Sequence, residues 1–73
     1  MSEYHINIFY SKEDRAWVAD IPDLRSCSAL GKSPEEALAQ LEVAKEAWLE
    51  VAKEQGKPIP RPRYRPAIYQ ASR

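Results

Sequence analysis

The sequence predicts an α+β fold, an antiparallel β-meander with one long helix packed across one face. Three observations carry this. Residues 4–30 hold three short runs rich in β-formers, separated by polar or proline-containing connections. Residues 34–55 then place apolar side chains at helical spacing behind a strong N-terminal cap. The chain has 73 residues and one cysteine, enough for one small domain near the lower limit for an adequate core and with no internal disulfide.

The first run, "YHINIFY" (4–10), alternates, with Ile6, Ile8 and Tyr10 on one face and His5, Asn7 and Phe9 on the other. "SKEDR" (11–15) is a polar connection of hairpin length. "AWVADI" (16–21) puts Trp17, Ala19 and Ile21 on one face and Val18 and Asp20 opposite. Pro22 lacks an N–H and ends the ladder, so "IPDL" makes a turn. "SCSAL" (26–30) is a shorter third strand ending at Gly31.

The helix opens on a capping box. Ser33 is the N-cap, Pro34 suits the first helical position, and Glu36 completes S-x-x-E. Glu35 and Glu36 sit where the helix dipole favours negative charge. Ala37, Leu38, Leu41, Ala44, Trp48, Val51 and Ala52 form one apolar stripe. Gly56 is the expected stop, with Pro58 just beyond it.

Residues 1–56 thus form the folded body and residues 57–73 a Pro/Arg-rich tail. Prolines at 58, 60, 62 and 66 keep the start of that tail extended. "AIY" (67–69) reads as a fourth, edge strand or as a disordered terminus. The zero net charge conceals a split: residues 1–56 carry −5 and residues 57–73 carry +5. Such asymmetry points to a partner for one end or both, or to a tail lying on its own body.

Several function classes fall away at this stage. No run of eighteen apolar residues could cross a membrane, and the N-terminus lacks the basic and apolar regions of a secretory signal. A cytoplasmic protein is expected, and a lone thiol suits that compartment. One Cys and one His cannot supply a zinc set, and no cofactor motif is present: "LGKSP" lacks the first glycine of a phosphate loop, with Ser26 at that position. A small chain without staples is expected to gain stability as a homodimer or higher oligomer.

The reactive side chains have structural explanations. Asp20 and Asp23 flank a proline turn, where aspartate commonly accepts bonds from nearby backbone N–H groups. Cys27 with His5 would be a nucleophile and base only if their strands adjoined, and a free cysteine in a strand more often packs as a small hydrophobe. Ser33 is a cap. No catalytic or metal-binding residue is assigned, and the chain is not expected to be an enzyme.

Two features invite a partner. Glu42, Glu46, Glu50 and Glu54 recur at i, i+4 spacing, relieved in part by i+3 pairs of Lys45 with Glu42 and Lys53 with Glu50. They make either a solvated face or a docking surface for something basic. In the tail, Arg61, Arg63, Tyr64, Arg65 and Tyr69 interleave cations with aromatics, a pattern that binds single-stranded nucleic acid or an acidic protein surface. The acidic body argues against independent nucleic-acid binding, because phosphate attraction dominates such affinity.

The order and spacing of several pieces resemble the HicB-like antitoxin family over residues 4–60. These are Pro22-Asp23-Leu24, Cys27, Gly31-Lys32-Ser33, Glu35-Glu36-Ala37 and Gly56-Lys57-Pro58-Ile59-Pro60. The resemblance implies a partial RNase H-like fold, a meander and one helix often followed by a fourth strand. It also implies a HicA-like partner, a small basic toxin that cleaves mRNA and is masked by the antitoxin. The chain departs from the family pattern "PDLPGC" at Arg25-Ser26, which replaces Pro-Gly and alters the expected turn. No DNA-binding domain of the kind many members carry is expected within its 73 residues.

Overall fold

A computed structural model describes residues 4–65. Strands β1 (Asn7–Ser11), β2 (Ala16–Asp20) and β3 (Ser28–Gly31) form an antiparallel sheet in the order β1-β2-β3, followed by α1 (Pro34–Glu54). This is the meander and single helix that the sequence predicts. The fourth strand expected at 67–69 falls outside the described residues, as does Tyr69.

Register decides what each face carries. Ile8 lies opposite Ala19 and Ala19 opposite Ala29, while Tyr10 lies opposite Trp17 and Trp17 opposite Gly31. Directly opposed residues share a face, so these side chains make the surface that α1 covers. The helix packs chiefly on β3 and β2 and least on β1. Ile8 and Tyr10 consequently stay partly open on the covered side, and Tyr10 rests edge-on against Trp17 at 5.6 Å between ring centroids. Phe9, Val18 and Leu30 form a row across the other face, where Phe9 and Leu30 are half exposed.

The core is small. Ala19, Ile21, Leu24, Cys27, Ala37 and Leu41 are buried together, with Tyr4, Ile6, Trp17, Ala29, Leu38, Ala44, Trp48 and Leu49 packed around them. Among the described residues, Ile21, Leu24 and Leu41 are the largest side chains fully withdrawn from water. Of the predicted helix stripe, Val51 departs: it is 47% exposed, while Leu49, outside the predicted stripe, packs on the core.

Strand boundaries differ from expectation for local reasons. β1 starts at Asn7 rather than residue 4, because its partner β2 ends at Asp20, the residue opposite Asn7. The Ile21 amide faces the β3 side and donates to the Cys27 carbonyl at 3.0 Å. β3 starts at Ser28 rather than residue 26. Ser26 occupies the left-handed region at φ +60°, and the Cys27 amide closes a turn onto the Leu24 carbonyl at 3.2 Å. Cys27 is therefore a loop residue that points into the core, not part of a third strand.

Both helix ends are capped. The Glu36 amide donates to Ser33 Oγ at 3.1 Å, and the Lys32 amide donates to Glu36 Oε1 at 2.6 Å. The return bond thus reaches one residue before the N-cap, a variant of the capping box. At the other end Gly56 sits at φ +67°, its amide donates to the Lys53 carbonyl and that of Lys57 to the Ala52 carbonyl. This is a Schellman motif, and it requires the left-handed conformation that glycine adopts freely.

Gly31 sits hard against the helix backbone. A Cβ at this position would lie 2.3 Å from the Ala37 amide nitrogen and 2.8 Å from its Cα. The end of β3 is thereby pressed against the first turn of α1, and that contact fixes how the helix crosses the sheet.

Candidate functional site

The outer surface of α1 carries two adjacent rows. Glu42, Glu46, Glu50 and Glu54 are all exposed along one of them. Lys45 Nζ pairs with Glu42 Oε1 at 3.4 Å, as the spacing predicts, whereas the pair predicted between Lys53 and Glu50 does not form. An exposed pair of this kind contributes little to stability. The carboxylates of Glu46, Glu50 and Glu54 have no ion-pair partner among the described residues.

The second row is Val43, Ala47 and Val51, again at i, i+4, i+8. All three are exposed, Val43 at 65%. An apolar ridge open to water on a helix already packed on its other side is unexplained by the fold itself. Next to it runs an open groove of about 620 Å³. Ala44, Ala47, Trp48 and Val51 line it from the helix, Cys27 and Pro58 from the flanking segments, and Arg25 and Lys57 stand on its rim. Trp48 is fixed as a wall because its Nε1–H donates to the Arg25 carbonyl at 2.9 Å.

The tail lies elsewhere. The amides of Arg63 and Tyr64 both donate to Asp23 Oδ1 at 3.1 Å, and that of Tyr64 also reaches Oδ2 at 3.2 Å. The Tyr4 hydroxyl donates to the Pro60 carbonyl. The Tyr64 ring meets His5 at 4.7 Å between centroids, and His5 Nε2–H donates to Asn7 Oδ1 at 2.7 Å. Residues 60–64 are thus held against the body at the turn after β2. Arg61, Arg63 and Arg65 are exposed there.

The reactive side chains singled out in the sequence lie in separate surroundings. Asp23 accepts backbone N–H groups as a turn aspartate does, but from a segment forty residues away instead of its own turn. Asp20 lies on the open face of the sheet, opposite Asn7 and Ser28. Among the described residues no three His, Cys, Asp or Glu side chains converge as a metal site would need. Burial, reinforced by the charge of Asp20 and partly offset by Lys45, pushes the Cys27 thiol above its ordinary value. A thiol so held is a poor nucleophile. His5 is committed to Asn7 and Tyr64.

Sequence reasoning missed the Asp23 contact and the apolar ridge. The first leaves no sequence signal, since it joins two loops without periodicity. The second was visible as Val43, Ala47 and Val51 at i+4 steps, but Val51 was absorbed into the core stripe.

The helix of this small α+β domain thus exposes a charged row and an apolar row side by side. The chain matches the family described as HicB-like antitoxin of bacterial toxin-antitoxin system over residues 4–71, nearly its whole length. It is also 36% identical over 53 residues to UPF0150 protein ssl0259 from Synechocystis sp. (strain ATCC 27184 / PCC 6803 / Kazusa), a match that spans 73% of each chain. No solved structure matches it. The chain belongs to the HicB-like antitoxin family.

Proposed function

We propose that this chain is a non-enzymatic antitoxin that binds and masks a small basic, RNA-cleaving toxin, acting as a homo-oligomer in the cytoplasm. Family membership supports the toxin–antitoxin role. The observation that carries the mode of action is the row of exposed carboxylates, Glu42, Glu46, Glu50 and Glu54, on a body of charge −5. A protein that cleaves RNA must present cations to phosphate. An acidic ridge competes for those cations, and opposite charge on the two surfaces speeds their encounter. Masking of this kind needs no chemistry from the antitoxin. The body, residues 1–56, supplies the masking surface in this reading, and the tail a separate set of contacts through Arg61, Arg63, Tyr64, Arg65 and Tyr69.

The homo-oligomeric part of the proposal rests on the small core, in which three large side chains are fully buried. A core of that size supplies only a few kcal/mol, roughly 3–5, and association commonly makes up the difference.

Tagged chain purified from its host at physiological salt is expected to bring down a small basic protein. The double reversal Glu46→Lys/Glu50→Lys should abolish that capture and slow association most strongly at low salt. Recovery of the chain alone from the host, or equal capture by the reversed variant, would refute the masking surface.

A further inference from the structure

We propose that Ala67–Tyr69 of the tail dock on the outer edge of β1 in their own chain. They lie parallel to β1, with Ala67 beside Ile8, Ile68 beside Phe9 and Tyr69 beside Tyr10. The proposal goes beyond the antitoxin reading and does not depend on a toxin.

Register shows what that edge offers. The Ile21 amide points to β3, where it meets the Cys27 carbonyl. Backbone groups alternate in direction along a strand, so those of Asp20, Val18 and Ala16 point to β1 and meet Asn7, Phe9 and Ser11. The N–H and C=O groups of Ile8 and Tyr10 therefore point outward, and no strand pairs with them among the described residues. β1 has no charge, proline or bulge, the usual guards of an exposed edge. Ile8, Phe9 and Tyr10 are all exposed on it. Such an edge takes an extended, uncharged segment.

The tail delivers one to this place. Tyr4 holds the Pro60 carbonyl and the Tyr64 ring lies against His5, so the tail comes in beside the residues that lead into β1. Eight residues follow Arg65, and "PAIYQAS" (66–72) is an uncharged stretch. At about 3.3 Å per residue they reach roughly 26 Å, against roughly 17 Å for the five residues of β1. Running on from His5 toward Ser11, the segment is parallel to β1. α1 supplies the long connection that a parallel strand needs.

With Tyr64 at His5 setting the register, each tail residue extends a row of its own kind. Ala67 joins Ile8, Ala19 and Ala29, Tyr69 joins Tyr10 and Trp17, and Ile68 joins Phe9, Val18 and Leu30. A shift of one residue either way would send Tyr69 to the opposite face. In a parallel ladder the amides of Ile8 and Tyr10 donate to the carbonyls of Pro66 and Ile68, and their carbonyls accept from the amides of Ile68 and Gln70. Every group required exists, since Pro66 lacks only an N–H that this ladder does not use. A second copy fits less well. Its β1, antiparallel about an axis at Phe9, sets Lys12 against Ile6 and Glu13 against His5, where the Tyr64 ring already stands.

Amide hydrogen exchange of the full chain, followed by NMR over a dilution series, tests this. The Leu30 amide points outward from β3 on the opposite edge and serves as the control. Protection of the Ile8 and Tyr10 amides is expected to exceed that of Leu30 at least about tenfold, at every concentration. Ile68→Pro should bring both down to the Leu30 level while Phe9, whose amide faces β2, keeps its protection. Ile8 and Tyr10 amides as unprotected as Leu30 in the wild type would overturn the proposal. Protection that survives Ile68→Pro would show that something other than this segment covers the edge, and protection lost on dilution would assign the edge to a second copy.

Discussion

Two junctions tie segments of this molecule to its body, and they are made in opposite ways. At the first, Gly31 at the end of β3 touches the backbone of Ala37, six residues on, with no room for a single carbon between them. At the second, Asp23 holds the amides of Arg63 and Tyr64, forty residues on, through a carboxylate at the surface. One joint is local, dry and steric, whereas the other is distant, wet and polar. The first positions the helix on the sheet and hence the whole core. The second positions a tail that supplies none of the residues of the described core. Charge and hydrogen bonding at the surface here add a segment to a fold that close packing has already defined.

The contrast would fail most visibly at Gly31. Gly31→Ala puts a methyl group into backbone that cannot move without shifting α1, and overpacking of this kind costs about 3 kcal/mol. For a chain whose total stability is on the order of 5 kcal/mol, that populates the unfolded state heavily. Urea unfolding should show the midpoint collapse. A loss below about 1 kcal/mol would mean that the helix can be displaced cheaply, and the first junction would not set the packing.

Cys27 tests the dry side of the loop between the two junctions. Cys27→Ala should cost about 1.5 kcal/mol, as loss of a buried sulfur leaves a gap beside Ile21 and Leu24. The same residue gives a pH signature. Burial raises the folded thiol above its ordinary value of 9.0, so the native state keeps its proton where the unfolded chain has lost it. Its contribution to stability is complete below 9.0 and is lost as pH rises from there through the raised value of the folded thiol. Denaturation profiles of wild type and Cys27→Ala should therefore converge in the alkaline range. Parallel profiles there would mean the thiol is solvated.

Ser26 is expected to have a smaller effect with the opposite sign. It holds φ +60° where the pattern resembled by this chain has glycine. Relief of the left-handed strain, about 1–2 kcal/mol, is offset by the greater freedom of glycine in the unfolded chain. Ser26→Gly should stabilise by about 0.5–1 kcal/mol in urea titrations. A destabilised variant would show that the serine hydroxyl contributes a bond worth more than the strain.

What could be read from the chain follows the same division. The capping box at Ser33 and Glu36, the stop at Gly56 and the alternation in β1 and β2 are signals within a few residues, and each specifies its own local geometry. The strand limits were less legible because they depend on a partner: β1 begins where β2 ends, and β3 begins after a left-handed residue that composition does not announce. At the candidate site, the glutamate row was legible as a period, and only the folded helix distinguishes Val51 on the open ridge from the core stripe. The Asp23 contact was not legible at all, since nothing near Asp23 specifies a partner forty residues away.

That contact supplies the finest test of the comparison. Asp23→Ala removes the acceptor for two backbone amides and leaves the Tyr4–Pro60 bond and the His5–Tyr64 ring contact in place. Both amides can turn to water, so the global cost should be only about 0.5 kcal/mol in spite of the charge on the acceptor. The local cost should be larger in proportion: exchange protection of the Arg63 and Tyr64 amides is expected to fall about tenfold, while amides in β2 and α1 keep theirs. Asp23→Asn, which retains a neutral acceptor, should fall between wild type and alanine. If Asp23→Ala lowered protection in β2 and α1 as much as in the tail, the polar junction would belong to the cooperative core, and the distinction between the two junctions would be lost.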